Sequence, residues 1–302
     1  MRQYLVYLLV RVASCVAQAV RLETCHSAAK LLAVLFTDVL GVRRAVINEN
    51  LRHAFPELSD SQRRSLARRM WEHLILFAAE VAHTPRKIHE TNWRDYLKLE
   101  DEAPLTRLLL DDRPLLMVSG HFGNFELAGY FFGLFGYTFH SVARPLDNPF
   151  LDEFILRSRR ISGQRMLSKQ EDYGQIMDIL SAGGVVSFLA DQYAGSKGCW
   201  VDFFGRSASA HKAIALFALN ADAPLAVGCC RRLGRPLQYE LRLEGVADPR
   251  QAADSTAGVR ELTQWYNKRL EAAIRIAPEQ YWWLHRRWKD NRPARRSARQ
   301  AA

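Results

Sequence analysis

The segment SGHFGNFELAG, Ser119 to Gly129, sets an imidazole and a carboxylate five residues apart at His121 and Glu126. Gly120 and Gly123 let the backbone turn tightly around His121 and leave its ring open. Glu126 falls in the first turn of the helix that FELAGYFFGLF predicts. From there its carboxylate can accept a hydrogen bond from one ring nitrogen and fix the tautomer, which leaves the other nitrogen to take a proton from a hydroxyl. The backbone N–H groups at the start of this helix also offer a place for an oxyanion or a phosphate. The plainer alternative is that Glu126 complements the helix dipole and His121 is an ordinary loop residue.

Those residues need a frame. Four short apolar runs, PLLMVS (Pro114–Ser119), YTFHSVA (Tyr137–Ala143), VVSFLA (Val185–Ala190) and PLAVGCC (Pro224–Cys230), read as buried strands. FELAGYFFGLF, the segment near Leu151–Gly163 and KAIALFALNA between them read as helices. The alternation predicts an α/β fold: a mixed, largely parallel central sheet flanked by helices, with right-handed crossovers. RRLGRPLQYELRLEG predicts a hairpin into an antiparallel edge strand, because Tyr239 to Leu243 alternate. In open α/β sheets ligands bind beyond the carboxyl ends of the strands. Here those ends carry His121, Arg144, Asp191 with Gln192, and Arg231 with Arg232. The aromatic run from Phe122 to Phe139 reads as core packing, with an acyl-chain groove as the second reading.

The first ninety-odd residues read as helical throughout. Gln3 to Val20 is apolar apart from Arg11, and a mid-segment arginine makes a poor membrane span. Leu5, Leu8, Leu9 and Val12 are instead expected to sink into a membrane interface while Arg2, Arg11 and Arg21 reach its headgroups. A further helix follows Ser59 or Asp60, is expected to end at Pro85, and carries Arg63, Arg64, Arg68 and Arg69 on one face. The expected divisions are a helical membrane-associating region over 1–95, an α/β domain over 96–290 and a basic, disordered tail over 291–302.

Composition narrows the classes. The chain has 302 residues, 48% of them hydrophobic, and 42 Lys and Arg against 32 Asp and Glu, a formal charge of +10. That excludes wholesale disorder and points to an anionic partner. Five cysteines without CxxC spacing argue against a disulfide framework and a zinc site. A nucleic-acid-binding protein would explain the charge, but the aromatics sit in apolar runs apart from the basic residues, so nucleic acid is not an expected partner. A non-catalytic membrane scaffold would leave the polar strand ends without a role. A serine hydrolase lacks its GxSxG elbow.

Several motifs together carry a resemblance: GHFGNFELAG, RPLDNP (Arg144–Pro149), Asp191–Gln192, FFG (Phe203–Gly205), PEQYWWLHRRWK (Pro278–Lys289), and AFPELS (Ala54–Ser59) preceded by Asn50–Leu51. In this order they resemble the late acyltransferases of lipid A biosynthesis, the lauroyl- and myristoyltransferase group within the lysophospholipid acyltransferase superfamily. The resemblance implies a membrane-attached α/β enzyme on the cytoplasmic face of the bacterial inner membrane. It would move a fatty acyl group from acyl carrier protein or coenzyme A to a hydroxyl of a glycolipid such as a lipid A precursor, with a lysophospholipid as the alternative acceptor. The family's H-x4-D/E motif falls on His121, which would deprotonate the hydroxyl, and Glu126, which would orient it. Arg144 and Asn148 would bind an anionic headgroup, and Asp191 and Gln192 would support the site or bind the acceptor. The thioester donor is already activated, so neither an acyl-enzyme nor a cofactor is implied. An acidic carrier protein would suit the basic helix face and tail. The chain departs from the family's A-x-T after FFG, where it has Ala208-Ser209-Ala210, so the hydroxyl the family places there is either missing or replaced by that of Ser209.

Overall fold

The computed structural model describes residues 1–100, 102–168, 173–251 and 256–289. Four helices come first: α1 (Arg2–Ala19), α2 (Leu22–Val34), α3 (Arg44–Ala54) and α4 (Asp60–Lys87), with a π-helical turn at Leu35–Val39. Ser59 caps α4 through a reciprocal capping box with Gln62. The helix does not end at Pro85. The proline removes one N–H, yet the Ile88 N–H still closes onto the Thr84 carbonyl at 2.9 Å, so the last turn holds to Lys87.

The remaining elements are β1 (Leu97–Glu100), α5 (Glu102–Leu110), β2 (Leu115–Ser119), α6 (Phe125–Leu134), β3 (Phe139–Ala143), α7 (Pro149–Ile161), β4 (Gln164–Ser168), α8 (Tyr173–Ser181), β5 (Val185–Leu189), β6 (Cys199–Phe203), β7 (Arg206–Ala210), α9 (Lys212–Asn220), β8 (Leu225–Arg232), β9 (Tyr239–Ala247) and α10 (Val259–Ile276). Seven strands form one sheet in the order β1-β9-β8-β2-β5-β3-β4, and β6 and β7 form a separate hairpin that carries Phe203–Gly205 at its turn. β8, β2, β5, β3 and β4 are mutually parallel, and β9 runs against β8. β9 is antiparallel as expected but is not an edge, because β1 pairs beyond it, parallel to it.

Each central strand buries both faces. Leu116, Val118, Val186, Phe188, Leu225 and Val227 join one apolar cluster with α8, α9 and α10. Their neighbours Met117, Val185 and Cys230 face a second cluster built around α6. Two-sided burial explains why these strands read as unbroken apolar runs rather than alternating ones. Phe131, Phe132 and Phe139 are buried in the second cluster, so the aromatic run is core packing.

Among the described residues no single helix is long and apolar enough to cross a membrane. α1 has no buried residue and exposes Leu5, Leu9, Val12 and Val16. Arg11 is exposed, and its guanidinium lies 5.3 Å over the Phe154 ring on α7. The basic face of α4 is also largely spent within the chain. Asp38 accepts from Arg64 and Arg68, both at 2.6 Å, and Arg63 pairs with Asp60. The expected tail at 291–302 lies outside the described residues, and within the basic segment before it Arg287 is buried, with 1% of its surface exposed.

Candidate active site

Strand order builds the site. β2 and β5 are neighbours in register, Ser119 opposite Leu189, and the Ala190 N–H extends the pairing by donating to the Ser119 carbonyl at 2.8 Å. Two residues beyond those ends stand His121 and Asp191. His121 Nδ1 lies 2.8 Å from Asp191 Oδ1, and the His121 backbone N–H donates to Oδ2 at 3.0 Å. An ionised carboxylate only accepts, so Nδ1 carries the proton and Nε2 presents its lone pair. The Asp191 side chain has no exposed surface and His121 keeps 15%. Burial alone would raise the Asp191 carboxyl, but the imidazole and the backbone N–H of His121 outweigh it and hold the group well below the usual carboxylate range.

Glu126 does not orient the ring. It sits in the first turn of α6 as expected, but its carboxylate is taken by the guanidinium of Arg159 on α7, with Nε at 3.0 Å from Oε2. The hydrogen bond expected of it is made by Asp191, which comes from the neighbouring strand. Asp191 in turn is sealed beneath the imidazole rather than open to an acceptor, so it positions His121 and is not a surface for substrate. Gln192, the next residue, does face the site: its amide nitrogen is 3.5 Å from His121 Nε2 and 3.4 Å from His285 Nε2.

Arg144 and Asn148 are not among the groups that touch His121. Arg144 follows β3, one strand further out beyond β5, and its exposed guanidinium pairs with Asp147 at 3.0 Å. Asn148 caps α7, accepting from the N–H groups of Phe150 and Leu151, and its amide donates to the Gln3 carbonyl of α1 at 2.8 Å. Ser209 is fully buried, with its hydroxyl on the Gly195 carbonyl, so it offers no reactive hydroxyl.

The glycine-flanked loop is held from beneath. Gly123 has φ +62°, and a Cβ there would lie 2.0 Å from the Cys230 carbonyl oxygen, so only glycine fits. The N–H groups of Phe122, Gly123 and Asn124 all donate within the chain, to Gly120, Gln280 and Cys230. These three are therefore not free for an oxyanion, which confines that expectation to the first turn of α6 itself. Arg232, at the end of β8, does structural work: it donates to His73 Nδ1 at 2.6 Å and pairs with Glu80, while His73 Nε2 donates to the Gly123 carbonyl at 3.1 Å. Burial, and secondarily the charge on Arg232, hold His73 well below its ordinary pKa. Arg231 pairs with Glu240 at 2.7 Å.

The sequence reading missed two residues of the site. Arg159 carried no signal beyond its basic segment. His285 stood in the PEQYWWLHRRWK motif, whose fold places its ring 5.0 Å from that of His121, with Trp282 at 5.2 Å. Asn50 straps this segment down by donating to the Trp283 and His285 carbonyls at 2.7 and 2.6 Å, and Arg287 anchors it on the Ser209 carbonyl.

A family model described as bacterial lipid A biosynthesis acyltransferase matches residues 1–290. The chain is 29% identical over 255 residues to the lipid A biosynthesis lauroyltransferase of Escherichia coli (strain K12), covering 82% of this chain and 79% of that protein. It is 28% identical over 257 residues to the lipid A biosynthesis palmitoleoyltransferase of the same organism, with the same two coverages. Among solved structures, the 1-acyl-sn-glycerophosphate (LPA) acyltransferase PlsC from Thermotoga maritima aligns over 85% of this chain and 99% of its own, at 12% identity and a TM-score of 0.39. A match over nearly the whole length settles the family: this chain belongs to the bacterial lipid A biosynthesis acyltransferases and is an acyltransferase.

Proposed function

We propose that the protein transfers a fatty acyl group from a thioester, on acyl carrier protein or coenzyme A, to a hydroxyl of a lipid A precursor at the cytoplasmic face of the bacterial inner membrane. The observation that carries this reading is the His121–Asp191 pair at the carboxyl edge of the sheet, which leaves His121 Nε2 with a lone pair. Nε2 removes the proton from the acceptor hydroxyl as its oxygen bonds to the thioester carbonyl carbon. Collapse of the tetrahedral intermediate breaks the C–S bond, and the imidazolium returns the proton to the departing thiolate. Asp191 stabilises that imidazolium without itself being protonated. Because the leaving group is already a thiol, one general base suffices and no covalent acyl-enzyme is required. The exposed apolar side of α1 suits attachment to the membrane in which such an acceptor resides.

The test is direct. Purified protein is given a lipid A precursor with acyl carrier protein or coenzyme A thioesters of several chain lengths, and mass spectrometry follows the acceptor. The expected product is heavier by one fatty acid less water, and His121→Ala is expected to lower the rate about 10²–10⁴-fold. An unmodified acceptor with every donor, or full activity in His121→Ala, defeats the reading.

A further inference from the structure

A cavity of about 600 Å³ adjoins the His121 site, lined by Arg43, Gln192, Tyr193, His285, Arg286 and Lys289 among others. Its wall is shared with the reaction centre, because the Gln192 amide stands between His121 Nε2 and His285 Nε2. Among the described residues no carboxylate lines it. That is unusual within this protein, where Arg63, Arg64, Arg68, Arg113, Arg159, Arg231 and Arg232 all have acidic partners. Two segments far apart in sequence deliver the cations. Arg43 precedes α3 in a left-handed conformation, φ 53°, and one of its guanidinium nitrogens donates to the Leu284 carbonyl at 2.9 Å. The C-terminal strap brings Arg286 and Lys289, and the Lys289 ammonium lies 4.8 Å over the Tyr193 ring. Burial lowers the pKa of His285, with the charges of His121 and Arg43 acting in the same direction, so that ring adds hydrogen-bonding capacity rather than a fourth charge at neutral pH.

We propose that Arg43, Arg286 and Lys289 form a phosphate-binding subsite that holds a phosphate group of one substrate beside His121. The size of the cavity and three cations with no carboxylate beside them among the described lining residues suit a phosphate monoester or diester, and guanidinium groups grip its oxygens as charge-assisted donors. The subsite does what Arg144, paired outward with Asp147, does not: it brings positive charge against the reaction centre. This inference rests on the acyl-transfer reading. Within that reading two sources carry the group, the phosphorylated sugar of the acceptor and the phosphodiester of a pantetheine-linked donor.

The experiment compares wild-type protein with the Arg286→Gln/Lys289→Gln double variant, whose two positions are exposed at the cavity mouth. Acceptor is varied at saturating donor, and donor at saturating acceptor. The expected result is a rise of about 10- to 100-fold in one KM with kcat changed less than about two-fold, since a charge-assisted bond is worth about one decade or more. A rise confined to the acceptor assigns its phosphate to the subsite; a rise confined to the donor assigns the pantetheine phosphodiester. Wild-type values for both KMs, or a loss of kcat alone, overturn the proposal while leaving acyl transfer intact. Binding of inorganic pyrophosphate, measured by calorimetry, gives a readout that needs no turnover. Wild-type protein is expected to bind it at least about ten-fold more tightly than the variant, and equal affinities overturn the subsite even where the wild type transfers no acyl group and the wider reading has failed.

Discussion

At Asp191 burial and charge pull in opposite directions, and the contact with His121 decides the outcome. A carboxylate with no exposed surface stays ionised because two N–H groups of one residue donate to it. Asp191→Asn keeps the shape but can turn an N–H toward Nδ1, which would place the ring proton on Nε2, the nitrogen proposed to act as base. It is therefore expected to lower kcat/KM about as severely as His121→Ala, by ~10²–10⁴, with the protein still folded by circular dichroism. Glu126→Gln should behave differently. It leaves Arg159 without its carboxylate in a site about one-fifth exposed, so a destabilisation of about 1–3 kcal/mol is expected, with an activity loss that tracks the lowered melting temperature. An activity loss in Glu126→Gln equal to that of Asp191→Asn, at unchanged melting temperature, would show that Glu126 acts on the ring after all.

Helix α4 and strand β8 together support the His121 loop through a buried polar chain. Glu80 takes Arg232 and the Tyr239 hydroxyl, Arg232 takes His73, His73 holds the Gly123 carbonyl, and Tyr239 accepts from Asn124 at 3.1 Å. Removing one member strands the others. Glu80→Ala leaves a buried guanidinium uncompensated and is expected to cost about 3–5 kcal/mol, read as a lowered urea midpoint. The network also predicts acid sensitivity. His73 is held well below its ordinary value of 6.5 when folded. Between those two values the unfolded chain binds a proton that the folded chain does not, so stability is full above the unfolded pKa and declines as pH falls below it. Stability between pH 7.5 and 5, followed by melting temperature, should fall, the free energy by at most about 1.4 kcal/mol per pH unit from this one group, and His73→Gln should flatten that part of the slope.

On the scale of the molecule, α1 stands apart from the core. It buries none of its side chains and is held by ring contacts of Tyr4 and Tyr7 with Phe150 and Phe154 on α7 and by a few polar contacts, among them Gln18 donating to the Ala82 carbonyl and His83 bonding to the Ala17 carbonyl, both at 2.8 Å. Deleting residues 1–21 should therefore cost about 1 kcal/mol per lost hydrogen bond and a similar amount per lost aromatic pair, without unfolding the rest of the chain. The same deletion is expected to abolish co-sedimentation with vesicles of phosphatidylethanolamine and phosphatidylglycerol. A truncated protein that sediments like the full chain would place membrane attachment elsewhere.

The sequence by itself determined a great deal here, because short-range patterns determine local structure. Four central strands, the helix after His121, the capped α4 and the polar strand ends were all legible in runs of apolar residues and their punctuation. Less legible were β4 and the β6–β7 hairpin, whose Gln164–Ser168 and Arg206–Ala210 segments carry too few apolar residues to announce strands. Only the tertiary structure decided which carboxylate meets His121. Five residues of separation favoured Glu126 over Asp191, seventy positions away, but no local pattern encodes that β5 lies beside β2, and that adjacency sets Asp191 under the imidazole. The same holds for charge. The sequence fixes +10, while long-range folding decides that Asp38 neutralises Arg64 and Arg68, that Arg287 is buried, and that Arg43 meets Arg286 and Lys289 around one cavity across more than two hundred residues of chain.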